Sequence, residues 1–297
     1  MRREFAHYNH RVTLQWSIGL AAVAIVAALT GAIASAEPAL KHARHAAPPT
    51  PAECVRLATH AEQARCLDPY FHDAVRSGRT REALGQLADL VRAGSLDDCH
   101  HLAHDLGHVE FDIHGNLPAA IRAGGADCLN GYYHGVVEAA VHRAAAQGPL
   151  EIGVMCRELR GDAMAYDGCV HGLGHGLMLV YNDVMRARRM CDALPDRYAR
   201  RRCVGGVYMQ NSMRFLDLDD ARYRATAPRA CDGLPLPADE RALCSGQIGE
   251  IAMFYYRHDL NNALRICRLI ANRTDEDSCT RGARDELAIS RLERKSG

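Results

Sequence analysis

Twelve cysteines constrain this chain more than any other feature. They are Cys54, Cys66, Cys99, Cys128, Cys156, Cys169, Cys191, Cys203, Cys231, Cys244, Cys267 and Cys279. Taken two at a time, their separations are 12, 29, 13, 12, 13 and 12 residues. Five separations that agree within one residue indicate an internal repeat. An even cysteine count points to disulfides formed in an oxidising compartment. The spacing therefore predicts the pairs Cys54–Cys66, Cys99–Cys128, Cys156–Cys169, Cys191–Cys203, Cys231–Cys244 and Cys267–Cys279.

The residues around the cysteines repeat as well. Cys128, Gly131, His134 and Gly135 recur as Cys169, Gly172, His175 and Gly176. Weaker copies are Cys203, Gly206, Met209 and Cys279, Gly282, Asp285, and the copy opened by Cys244 has its glycine one place early, at Gly246. Asp127, Asp167 and Asp277 stand just before these cysteines, where an acidic side chain would cap a helix start. Apolar helical stretches follow, and helical stretches also lead up to the first cysteine of each pair. The unit reads as helix, cysteine, short loop, cysteine, helix, with one disulfide tying each hairpin. The glycine three residues after the second cysteine lets a neighbouring backbone approach closely. Ala, Arg and Leu outnumber β-branched residues, which favours helix. The expected fold is all-α: disulfide-linked αα-hairpin repeats stacked as a solenoid. It resembles the αα repeats of Sel1-like, cysteine-rich secreted proteins across about residues 52 to 290, in cysteine spacing and helix pattern. The resemblance implies an architecture and brings with it no activity and no site residues. The Cys99–Cys128 unit departs from the pattern, because Cys99 follows Asp97 and Asp98 and opens a helix.

The first 36 residues read as a signal peptide or an N-terminal membrane anchor. Arg2, Arg3 and Arg11 precede an uncharged run from Trp16 to Ala36 that ends in the small-residue pattern Ala34, Ser35, Ala36. That run is also about the ~20 residues a bilayer span needs. In both cases the basic flank stays inside, so the rest of the chain is exoplasmic, periplasmic or at the cell surface. Residues 37–51 read as an Ala/Pro-rich linker, and 52–297 as the cysteine-rich helical repeat domain. Lys plus Arg and Asp plus Glu both total 36. The balance argues against a nucleic-acid partner, which would require a basic excess.

Chemistry is concentrated in the histidines. Nine of the sixteen lie between residues 100 and 175. Advancing 100° per residue from each helix-opening cysteine puts His101, His104, His108, His134, His171 and His175 in one sector, at about 140° to 240°. His104/His108 and His171/His175 are i,i+4 pairs, a spacing that brings two imidazoles over one point. Imidazole suits zinc or copper, and paired cysteines offer no thiolate. Glu138 borders the sector as a ligand or hydrogen-bonding partner. Met178 and Met209 could offer thioethers. His100, His114 and His142 fall outside the sector by this angular count.

The reading is an exported protein that binds zinc or copper through His101, His104, His108, His134, His171, His175 and Glu138. The alternative is a disulfide-rich solenoid scaffold with structural histidines and a protein partner on its concave face. An uncleaved N-terminal helix would add a membrane contact. His104, Asp105 and His108 resemble a zincin motif with aspartate in place of glutamate, which puts reach to a metal-bound water in doubt. No motif decides whether the chain is an enzyme. The arginine-dense stretch from Arg186 to Arg202 reads as a solvated, salt-bridged face.

Overall fold

The computed structural model describes residues 49–58, 60–217 and 219–295. The signal or anchor expected over 1–36 and most of the expected linker lie outside the described residues. Among the described residues all regular structure is helical. Four helices open the described region: α1 (Pro51–Cys54), α2 (His60–Arg76), α3 (Thr80–Arg92) and α4 (His100–His114). Next come α5 (Leu117–Ala123), α6 (Gly131–Gln147), α7 (Ile152–Met155), α8 (Ala163–Tyr181) and α9 (Val184–Met190). The chain continues through α10 (Arg197–Met213), α11 (Asp220–Thr226), α12 (Ala238–Tyr255), α13 (Leu260–Cys267) and α14 (Arg273–Lys295). No described helix is long and apolar enough to cross a membrane.

All six expected cysteine pairs are disulfides, with Cα atoms 5.3 to 6.1 Å apart. Their register differs from the expectation in one respect. The second cysteine does not open its helix: Cys66, Cys169, Cys203, Cys244 and Cys279 each stand seventh in α2, α8, α10, α12 and α14. The expected caps are corrected accordingly. Asp167 and Asp277 lie inside helices, and the capping is done earlier in the chain. Asp162 accepts from the Met164 and Ala165 amides, Asp196 from Ala199, and Asn272 from Thr274 and Asp275. A disulfide anchored nearly two turns into the long helix lays the short preceding segment along its start. Asp167 is thereby released to bind Arg202 through both carboxylate oxygens, at 2.6 and 2.8 Å. Arg188 holds Glu240 the same way, at 3.0 and 2.6 Å. Part of the arginine-dense stretch is thus salt-bridged.

Cys128 is the exception among the second cysteines. Cys128, Leu129 and Asn130 run in left-handed conformation, with φ of 58°, 55° and 60°, before α6 begins at Gly131. Non-glycine residues adopt this region at a cost. Here the turn swings α6 back across α4.

The long helices pack in chain order, α4 on α6, α6 on α8, α8 on α10, α10 on α12 and α12 on α14. Glycines set how closely they cross. A methyl group on Gly135 would collide with the His104 carbonyl oxygen, and one on Gly107 with the Tyr132 carbonyl oxygen. The same reciprocal contact recurs between Gly174 and Gly206, in α8 and α10. An open solenoid keeps its two ends apart; here they meet. Helix α14 touches α3, Arg257 pairs with Asp97 at 3.2 Å, and the Phe254 ring stacks on His100 with centroids 5.4 Å apart.

Candidate metal centre

The glycine contact between α4 and α6 places the site. With Gly135 seated on the backbone of His104, the neighbouring His134 ring is pressed between the rings that α4 and α8 present. The ring centres of His134 lie 5.4 Å from His100, 5.3 Å from His104, 4.9 Å from His171 and 5.1 Å from His175. The cluster is closed to water, since His100, His104, His134, His171 and His175 are all 7 % exposed or less. The face that carries the histidines is therefore filled by its own side chains.

One ring nitrogen from each of His100, His104 and His134 lies within 4.8 Å of the other two, so this group could hold a metal ion. Of the expected residues, His104, His134, His171 and His175 come together. His108 joins through Glu138, whose Oε2 is 3.0 Å from His108 Nε2. His101 stays at the edge, half-buried, with its ring centre 5.8 Å from His100 and 6.3 Å from His104. His114 bonds Glu110 at 2.9 Å. Met178 and Met209 are both buried, and Met209 packs with Ile251 and Phe254.

The angular count excluded His100, yet its Nε2 is 3.1 Å from His104 Nε2. On α4 His100 stands only about 40° from His104, just beyond the edge of that sector, so the two rings share one face. The i,i+4 spacing to His104 was the signal that could have found it.

Hydrogen bonds fix which nitrogens are available. His100 Nδ1 meets the Cys128 carbonyl oxygen at 3.0 Å. A carbonyl only accepts, so Nδ1 carries the proton and Nε2 the lone pair. His104 Nδ1 faces the Glu138 carboxylate at 3.4 Å, with the same consequence. His175 Nδ1 faces Gln210 Oε1 at 2.9 Å, which leaves its Nε2 as a lone pair without a hydrogen-bond partner among the described residues. The buried His134 Nδ1 and His171 Nδ1 likewise have no hydrogen-bond partner among the described residues.

Electrostatics hold His100, His134, His171 and His175 below the usual imidazole range and keep Glu138 charged, whereas at His108 burial is outweighed by Glu138, which holds that ring above it. Burial, reinforced by neighbouring histidines, holds His100 and His134 well below the usual imidazole range. Burial and then Arg202 do the same at His171. Burial brings His175 down to about 4. Burial also works against the charge on Glu138, but His104 and His108 outweigh it and hold its carboxyl well below the usual range. Asp105 is different. Burial, with Asp68 adding to it, pushes its carboxyl up to about 7.

Fold and site together define a disulfide-bonded, all-α protein with a buried cluster of histidines around one carboxylate. No protein-family model, curated protein or solved structure matches the chain, and its likeness to Sel1-like repeats is one of architecture alone.

Proposed function

We propose that this protein binds a transition metal, zinc or copper, through His100, His104 and His134. One observation carries the reading. Two Nε2 atoms face each other at 3.1 Å, and the opposite nitrogen of each ring is already committed as a donor. Two lone pairs held this close repel unless a cation lies between them. A proton would have to charge a buried ring, which desolvation opposes at His100. A metal ion takes neutral imidazoles as they stand. Imidazole ligands suit both zinc and copper. Nitrogens about 2.0–2.1 Å from zinc require little movement from this arrangement.

Glu138 acts on the ion through His104, accepting from its Nδ1–H and directing Nε2 inward, as carboxylates behind metal-bound histidines do. His101, His108, His171 and His175 complete the polar shell. We read the hairpins as a repeat array bent round until its ends meet, a shape that buries the inner face. We place the domain outside the cytosol, in the periplasm or at the cell surface. All twelve cysteines are paired, a state an oxidising compartment sustains.

The test is direct. Protein purified from an oxidising compartment is stripped with chelator and titrated with Zn²⁺ and with Cu²⁺. At least one ion should bind and raise the unfolding midpoint, by about 2.7 kcal/mol of stability at a hundredfold excess over Kd. Replacing His100, His104 and His134 by alanine should abolish binding while the helical circular dichroism persists. A folded wild-type protein that takes up neither ion would leave the histidines as structural groups.

A further inference from the structure

We infer that the cluster holds two metal ions, with the His134 ring bridging them. The inference deepens the metal reading above and depends on it. Its basis is the arrangement of three helices. Helix α6 lies between α4 and α8 and contributes one central imidazole, His134. Each flanking helix contributes an i,i+4 pair, His100/His104 from α4 and His171/His175 from α8. Among the first set, ring centres are 4.7 to 5.4 Å apart. Among His134, His171 and His175 they are 4.9 to 5.1 Å apart. The central ring is nearly equidistant from both pairs.

The second set is left incomplete as it stands. Among the described residues His134 Nδ1, His171 Nδ1 and His175 Nε2 are buried ring nitrogens with no hydrogen-bond partner, one on each of the three rings. Groups of this kind are rare in protein interiors unless something satisfies them. In His175 the Gln210 contact commits Nδ1 as the donor and leaves Nε2 to the site, as Glu138 does for His104.

An imidazole has two nitrogens in opposed directions, and both can bind metal once the ring has lost its N–H proton. Loading the second ion therefore breaks the remaining N–H bond of His134, forms a nitrogen–metal bond and releases one proton to solvent. The ligand class is a pair of divalent copper or zinc ions.

Copper loading separates the outcomes. Stripped protein is titrated with Cu²⁺, with bound metal measured by elemental analysis and unpaired spins by electron paramagnetic resonance. The expected result is two ions per chain. The first equivalent should give an isolated Cu²⁺ spectrum, and the second should lower the spin count as the bridged ions couple. The double variant His171→Ala, His175→Ala should bind one ion with the isolated spectrum intact. One ion per wild-type chain would overturn this inference and leave the single-metal reading standing. No bound ion would remove both. Two ions with full, uncoupled spin would exclude the His134 bridge. The wild-type spin count decides even if the double variant fails to fold.

Discussion

Glu138 shows how one side chain can organise many. Its side chain is 1 % exposed, and it lies 3.0 Å from His108, 3.4 Å from His104 and 3.7 Å from His175. A carboxylate can only accept, so it imposes one orientation on His104. A glutamine could donate instead and turn that tautomer round. Glu138→Gln should therefore weaken metal binding by roughly 10–100-fold, as changes behind a metal ligand typically do. Competition against a chelator of known affinity measures this, and unchanged affinity would mean that Glu138 does not orient His104. On α12, Glu250 presents the opposite case. Burial, with Glu286 beside it, pushes its carboxyl from the ordinary 4.5 up to about 8, against Arg202 and a hydrogen bond from Gln247 at 2.8 Å; Asp285 adds to the rise. Between those pH values the folded chain keeps a proton that the unfolded chain has lost. Stability thus falls as pH rises from about 4.5 through about 8. Denaturant unfolding at pH 5 and pH 8 should show that loss in the wild type and a smaller one in Glu250→Gln. Equal losses would clear Glu250 of the effect.

The helix pair α4 and α6 sets the site through its crossing. Gly135 has no room for a side chain, because the His104 carbonyl oxygen occupies the place of its Cβ. Gly135→Ala must push α6 off α4, an overpacking that costs about 1–3 kcal/mol. The same shift moves the His134 ring away from His100 and His104. We expect a lowered unfolding midpoint together with weakened metal binding. A variant equally destabilised but fully competent for metal would show that the crossing does not position His134. By contrast, a methyl group on Gly85, on the open side of α3, would meet nothing from other parts of the described chain within 4 Å, and Gly85→Ala is the natural control.

For the whole molecule, two constraints act at different ranges. The disulfides are local, and each of the 12- or 13-residue loops adds about 3 kcal/mol in the loop-entropy account. Closure of the array is long-range and rests on few contacts. The Arg257–Asp97 pair is about half exposed and contributes little. Phe254 is 6 % exposed and its ring lies parallel to His100 within 30°. Phe254→Ala should cost about 3–5 kcal/mol, as buried phenylalanine truncations do. It should also loosen His100 and so lower metal affinity, whereas Asp97→Ala should change neither much. Equal effects from the two substitutions would mean that the ring contact is not what seats His100.

The cysteine spacing and its companion glycines determined the all-helical class and all six disulfides, because both are read from separations along the chain. The i,i+4 histidines were legible for the same reason, since helical periodicity turns spacing into a shared face. Three things were decided only in the tertiary structure. Helices start six residues before most second cysteines, because Asp162, Asp196 and Asn272 offer the caps. His100 joins the cluster because the left-handed turn at Cys128 folds α6 over the first turn of α4. The final difference is one of environment. Exclusion of water, which disfavours charge on His100, His134, His171 and His175 and strands a ring nitrogen on three of them, requires α4, α6, α8, α10 and α12 to close around one point, and no spacing within a single helix encodes that closure.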